Sequence, residues 1–249
     1  MKIVDYAAYE TIHLSRTDGI VELRLHTDDG PLQWSLTAHD ELEHVFLALS
    51  RDASAEIVIL TGTGAEFSGP DVPPGASGAR AIPADAFDGI AEVGSRLLRN
   101  FLEIPVPVIA AVNGPARRHP ELPLMADIVL ASDDALFQDP AHFRGGMVPG
   151  DGVHVVFPYL MGPTRASYFL LMAEELRAEE ARRIGLVNEV MPRQTLVARA
   201  RAVARILLEQ PRRVRRASRA LFTAELKRRL ANDLDHGFAL ERYAHIARD

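Results

Sequence analysis

Apolar and polar positions change period along this chain, and each period names an element. Residues Thr11 to Thr27 alternate, with Val21, Leu23 and Leu25 against Glu22, Arg24 and His26. Thr17-Asp18-Gly19 divides that run into the two strands of a hairpin. After Asp28-Asp29-Gly30-Pro31 and Trp34 the period lengthens to that of a helix carrying Leu42, Val45, Phe46 and Leu49. Thr37, with Asp40 three residues on, predicts its start. Ile57 to Leu60 is apolar at every position, which suits a strand covered on both faces in a parallel sheet. Thr61 to Asp85, rich in Gly, Pro and Ala, sustains neither period and is expected to form a lid or wall. A helix over about Phe87 to Glu103 then leads through Ile104-Pro105-Val106-Pro107 into a strand, Val108 to Val112.

Beyond a second strand-like run at Ile128 to Ala131, helical spacing returns at Val153 to Met161, Arg165 to Met172 and Ala178 to Ile184, before a last strand at Val187 to Val190. From Thr195 onward helix follows helix, broken at Pro211. Ala224 to Arg248 is predicted to run unbroken, with Leu226, Leu230, Leu234, Phe238 and Glu241 on one face. The pattern divides the chain into a strand-helix α/β core, residues 1–193, and a helical region, 194–249. That helical region needs a surface to pack on, either its own core or a second subunit.

Composition narrows the function. The 249 residues are 47% apolar and 25% charged, an ordinary globular balance. No apolar run reaches the roughly 20 residues of a membrane helix, and the N-terminus lacks a secretory signal, so a cytoplasmic location is expected and no membrane partner. A net charge of −6 argues against nucleic acid as a partner. The one basic concentration, Arg212, Arg213, Arg215, Arg216 and Arg219, interleaves with Val214, Ala217, Ala220 and Leu221 and is expected to be a solvated helix face. The absence of cysteine removes thiol nucleophiles and thiolate metal sites. Gly-x-Ser-x-Gly is also absent, which disfavours a serine hydrolase of the elbow type.

Val108 to Asp151 concentrates the chemistry. Each of its two strand-like runs opens into a loop with ionisable groups: His119 and Glu121 after the first, His142 after the second, and Asp151 in the turn beyond. In an open parallel sheet such loops face one crevice. A metal hydrolase built from His119, Glu121, His142 and Asp151 lacks any close ligand spacing, and no metal or other cofactor is expected. Pro149-Gly150-Asp151-Gly152 before Val153 also reads as a helix N-cap.

Over nearly its whole length the chain resembles the crotonase (enoyl-CoA hydratase/isomerase) superfamily. The resemblance rests on Val108-Ile-Ala-Ala-Val-Asn-Gly114, Glu121-Leu122, Ala126-Asp-Ile-Val-Leu-Ala131, Ile57 to Gly62 before Phe67 to Asp71, and Ala181 with Ile184 to Val190. It implies a spiral of strand-strand-helix (ββα) units with a C-terminal helical region that assembles as homotrimers or dimers of trimers. Where coenzyme A-dependent members carry a glycine run whose N–H groups help form an oxyanion hole, this chain has Arg117-Arg118-His119-Pro120. Pro120 has no N–H, and Arg118 and His119 cannot adopt glycine backbone angles freely. Trp34 to Leu42, His119 to Glu121, Asp139 to Phe143 and Val148 to Gly152 are similar instead to the 6-oxocamphor hydrolase-type β-diketone hydrolases.

That resemblance implies retro-Claisen cleavage of a cyclic, alicyclic β-diketone without coenzyme A. His142 would be the base that activates water, Asp151 would orient it, and His119 would donate to a ketone oxygen. Trp34 and Phe143 would contact substrate, Glu241 would lie near the catalytic histidine, and Glu121 would act behind the site. His39, His44 and His154 read as structural, with His154 one helical turn from Asp151. The rival readings are a coenzyme A-thioester hydratase, isomerase or hydrolase with a rebuilt oxyanion hole, and a silent trimeric scaffold.

Overall fold

The alternating N-terminal run forms β1 (Ile12–Thr17) and β2 (Ile20–Leu25), joined through Asp18 and Gly19, both at positive φ. There follow α1 (Leu36–Arg51), β3 (Ile57–Gly62), α2 (Ala84–Glu103), β4 (Val108–Val112), a single-turn α3 (Glu121–Leu124), β5 (Ile128–Ser132) and β6 (Leu136–Phe137). The second half contributes α4 (Val153–Met161), α5 (Pro163–Met172), β7 (Leu176–Arg177), α6 (Ala178–Arg183), β8 (Glu189–Met191), α7 (Arg193–Leu208) and α8 (Arg212–Ile246). This computed structural model describes residues 9–72 and 84–246. The expected lid or wall therefore lies partly outside the described residues. Helix α1 begins earlier than the sequence suggests: Ser35, not Thr37, is its N-cap, its side chain accepting from the Ala38 N–H.

Six strands form one sheet in the order β1-β2-β3-β4-β5-β8, antiparallel at β1/β2 and parallel elsewhere; β6 and β7 pair separately. Single parallel bridges link Gln33 to Gly69, Ser68 to Ala116 and Ala116 to Phe137, so successive chain turns stack beyond the strand ends as well. The central strands are covered on both faces, as the unbroken apolar run of β3 requires. Val58, Leu60, Val108, Ala110 and Val112 point into the main core with α1 and α2. Ile57, Ile59, Ile109, Ala111 and Leu130 face the other way, onto Leu196, Ala200, Val203 and Ala204 of α7.

Helix α8 takes one of the two surfaces expected for it, the chain's own core, and departs from expectation in its arginines. Its predicted apolar face, Leu226 to Phe238, is covered by α2 and α4 of the same chain, so that face does not need a second subunit. The sequence left the choice between the two surfaces open because contacts between elements so distant in sequence leave no local pattern. The arginine cluster is not a uniformly solvated face. Arg219 is 2% exposed and Arg215 is buried, while Val214, Ala217, Ala220 and Leu221 point outward. Arg219 forms an ion pair with Asp127, and its guanidinium donates from Nε to the Ile104 carbonyl at 2.6 Å and from Nη2 to that of Phe101 at 3.1 Å. The Phe101 carbonyl lies in the last turn of α2 and that of Ile104 just past its end, where backbone acceptors are short of intrahelical donors, so burying a cation there satisfies both sides. Farther along, α8 meets the loop before α4 at Gly150 and Gly237. A Cβ at either glycine would collide with the other's carbonyl oxygen, and this close approach sets Glu241, one turn after Gly237, at the site.

Candidate active site

The loops leaving the strands, together with α1, α2 and α8, enclose a cavity of about 380 Å³. Trp34, His39, His119, Asp139, His142, Asp151 and Glu241 line it, beside apolar groups from Phe87, Ile90, Ala91, Met147 and Phe238. A larger depression of about 490 Å³ between α8 and the end of α2 carries no imidazole and offers no comparable chemistry. Among the described residues, one set of three potential metal ligands has its ligand atoms within 4.8 Å of one another: His13, His26 and Asp29, on the hairpin and outside the cavity. The rings of His13 and His26 stack at 3.6 Å, so their in-plane lone pairs run parallel instead of converging.

His142 stands between two acids. Its Nδ1 lies 2.8 Å from Asp139 Oδ1 and 2.9 Å from Oδ2, and its Nε2 is 3.3 Å from Asp151 Oδ2. The orienting contact at Nδ1 thus belongs to Asp139, which the sequence reading did not assign, and Asp151 sits at the opposite nitrogen. Burial disfavours the imidazolium, but Asp139 and Asp151 together outweigh it and hold its pKa well above the usual value. Burial likewise raises the Asp151 carboxyl, yet His142 and His119 overcome that and keep it ionised. Asp151 does not cap α4: the N-cap is Gly152, and no side-chain bond is made there.

His119 repeats the arrangement. Its Nδ1 is 2.7 Å from Glu121 Oε1, a fully buried carboxylate at the start of α3, and its Nε2 lies 3.7 Å from Asp151 Oδ2. Burial lowers its pKa, and Glu121 with Asp151 more than restores it. His119 adopts φ 46°, a left-handed conformation that glycine takes freely and other residues only at a cost. Such backbone costs roughly 1–3 kcal/mol and persists where surrounding contacts impose it. The Trp34 ring lies 4.2 Å from the His119 ring, centre to centre, with His39 4.9 Å from His119.

His39 is therefore part of the site wall and not merely structural. Burial and the neighbouring His119 lower its pKa to about 3, so it is neutral. Its place was legible in the spacing His39, Leu42, Phe46, Leu49, which puts it on the buried stripe of α1. Asp139 had a signal too, three residues before His142 in a short loop. Glu241 is buried, and burial with Asp151 raises its pKa to about 8, so it is largely protonated at neutral pH. Phe143 is 52% exposed and does not line the cavity. His154 makes its contact elsewhere, Nε2 to the Asp233 carbonyl at 3.2 Å, and His44 bonds the Asp40 carbonyl within α1.

Among the described residues, three buried polar atoms of the cavity walls, Asp151 Oδ1, Glu241 Oε2 and His39 Nε2, have no hydrogen-bond partner. Unsatisfied buried groups are costly and mark a place where a polar ligand completes the bonding. The backbone between Ser68 and Pro120 offers much less. The Arg117 N–H donates to the Ser68 carbonyl at 2.8 Å, that of Gly69 to Leu32 at 2.9 Å and that of Arg118 to Ser68 Oγ at 3.4 Å. Pro70 and Pro120 have no N–H to give.

A spiral of this kind with its site at the loops defines a class, and the comparisons supply it. Residues 16–245 match the enoyl-CoA hydratase/isomerase family, and the chain belongs to it. Carnitinyl-CoA dehydratase of Shigella flexneri is 34% identical over 204 residues, 80% of this chain and 75% of that protein. A β-diketone hydrolase from the cyanobacterium Anabaena sp. PCC 7120, whose structure holds (S)-3-oxocyclohexyl acetic acid, superposes with a TM-score of 0.89. It is 38% identical, over 95% of this chain and 94% of that one. An enoyl-CoA hydratase/isomerase from Mycobacterium paratuberculosis reaches 0.88 at 25% identity, over 98% and 96% of the chains. Among the described residues no helix is long and apolar enough to cross a membrane.

Proposed function

We propose that this enzyme hydrolyses a carbon-carbon bond of a cyclic β-diketone, using side chains alone and no coenzyme A. The observation that carries the proposal is the donor set. Imidazole and indole groups converge on the cavity, while the backbone amides that a thioester oxyanion hole would use are largely absent or engaged. In this reading His119, held at Nδ1 by Glu121, and the Trp34 indole N–H donate to the two ketone oxygens. His142, once deprotonated, takes a proton from water through Nε2, and the hydroxide adds to one carbonyl carbon. The tetrahedral alkoxide collapses, the carbon-carbon bond breaks, and its electron pair passes into the enolate of the other ketone. That enolate takes its proton from the His142 imidazolium, and a keto acid results.

Asp139 keeps the ring oriented, and Asp151 stabilises the charge at the other nitrogen. Glu241, protonated, can donate toward Asp151 or a bound oxygen. Similarity to the β-diketone hydrolase supports this reading, and similarity to carnitinyl-CoA dehydratase supports the rival, a thioester reaction. Purified enzyme given a panel of mono- and bicyclic 1,3-diketones in excess chelator, beside an enoyl thioester, decides between them. Loss of enol absorbance is expected; turnover of the thioester alone overturns the proposal. The proposal extends to assembly as a homotrimer or dimer of trimers, for which the outward Val214, Leu221 and Phe222 of α8 offer an apolar strip. A monomer at micromolar concentration in light scattering would remove that part.

A further inference from the structure

Among the described residues two guanidinium groups line the cavity, Arg117 and Arg118, and the proposed chemistry uses neither. Arg117 is tied down, its Nε donating to Gln138 Oε1 at 3.3 Å with Asp71 Oδ1 at 3.7 Å. Arg118 is likewise held only through Nε, but no acid among the described residues comes within ion-pair distance of it. Its Nε donates to the Pro70 carbonyl at 3.0 Å, which fixes the plane of the group. The acids nearest to it in charge are committed elsewhere: Asp71 lies between Arg117 and Arg144, and Asp139 holds His142. The two terminal amino groups of Arg118 therefore have no acceptor among the described residues. Burial pulls its pKa down, but a guanidinium stays charged at any working pH. A partly buried cation without a counterion is unfavourable until something supplies one.

A guanidinium fixed at Nε presents a planar pair of donors that matches the two oxygens of a carboxylate. We propose that Arg118 is a carboxylate-binding residue, its terminal amino groups holding an acid group of the ligand against the cavity wall. Asp139 and Asp151 repel such a ligand, and the other cationic groups already stand beside acids, Arg117 by Asp71, His142 by Asp139 and His119 by Glu121, so its acceptance falls to Arg118. Which carboxylate it is rests on the hydrolase reading: either the acid that cleavage creates or an acid that the substrate already carries.

Trp34 is the one tryptophan of the chain and lines the cavity, so its fluorescence reports binding without turnover. The probes are 3-oxocyclohexyl acetate and its methyl ester, titrated into wild type, Arg118→Gln and Arg118→Lys. Wild type is expected to bind the acid roughly 10- to 100-fold more tightly than the ester, the range for a charge-assisted pair. Arg118→Gln should lose that preference, and Arg118→Lys should keep part of it, because an ammonium has charge without the fork. An acid-to-ester ratio unchanged in Arg118→Gln, or a wild type that prefers the ester, overturns the proposal. Should Arg118→Gln not fold by circular dichroism, Arg118→Lys decides: an unreduced ratio there overturns it. Turnover of a neutral diketone and of the same ring bearing a carboxylate separates the sources. Selective loss on the charged ring assigns a substrate acid, and relief of product inhibition alone assigns the product. Acid binding that depends on Arg118 stands even if no diketone is cleaved; normal cleavage with an unchanged ratio removes Arg118 alone.

Discussion

Helix α8 passes two regions where charge is buried, and they are built on opposite terms. Near its start, Arg219 finds Asp127 and two carbonyl acceptors at the end of α2, while Asp127 also accepts the Val108 N–H at 2.7 Å. Near its end, Glu241 comes beside Asp151 and His142, and buried atoms of Glu241, Asp151 and His39 have no partner among the described residues. Burial is comparable: Arg219 is 2% exposed and Glu241 5%. What differs is satisfaction. A buried charge whose bonds are complete holds elements together, whereas one whose bonds are incomplete costs stability and is kept for what it does to a ligand.

The largest expected effect lies at the incomplete region. His142→Ala and Asp151→Asn should each lower diketone turnover by roughly 10²- to 10⁴-fold with little change in melting temperature. Steady-state kinetics on the double variant should show little further loss, because groups that act as one unit are not additive; independent, multiplying losses would break the pairing. At the complete region the sign of the contrast reverses. Arg219→Met should cost about 3–5 kcal/mol in urea unfolding, the usual consequence of stranding one partner of a buried pair. A loss under about 1 kcal/mol would mean that Asp127 is satisfied without it. His119→Ala should lower kcat and kcat/KM together, by about 10- to 100-fold, since its bond to oxygen strengthens as the enolate forms. Unchanged kinetics would make His119 a structural group.

Subtler effects follow from charge. The base form of His142 is needed, and its pKa stands above the ordinary value, so kcat/KM should rise with pH through a limb displaced above 6.5. Asp139→Asn removes the first carboxylate that raises it, and the limb should move to lower pH; a limb that stays in place would show that Asp139 does not set it. A separate effect is on stability. Glu241 has a folded pKa of about 8 against an ordinary 4.5, so the folded state holds its proton longer than the unfolded chain does. Wild type should therefore lose stability relative to Glu241→Gln as pH rises from about 4.5 to about 8, and no further above that. Parallel stability curves over that window would place Glu241 with the satisfied charges.

Much of the fold and part of the site were legible in the sequence. The two-faced burial of β3 and β4 follows from their unbroken apolar runs, and the hairpin from its alternation, because strand period and burial are local consequences of side-chain order. His119, His142, Asp151 and Trp34 were found from loop position and from resemblance, and the tertiary structure brings them to one cavity. The division of labour between Asp139 and Asp151 was not legible. Both are acids near His142 in the chain, and only the folded loop decides which of them meets Nδ1.

The fate of the arginines on α8 was decided in the same way. Their spacing fixes which face they share, but not whether that face meets solvent or the carbonyl-rich end of another helix. Residue order determined the elements, their buried stripes and the inventory of acids and bases, since these depend on near neighbours along the chain. Even neighbours in sequence such as Asp139 and His142 meet only through the folded loop, and other partners, pKa shifts and unsatisfied atoms depend on groups tens to more than a hundred residues apart; burial and Coulomb interactions act through space, so only the tertiary structure could assign them.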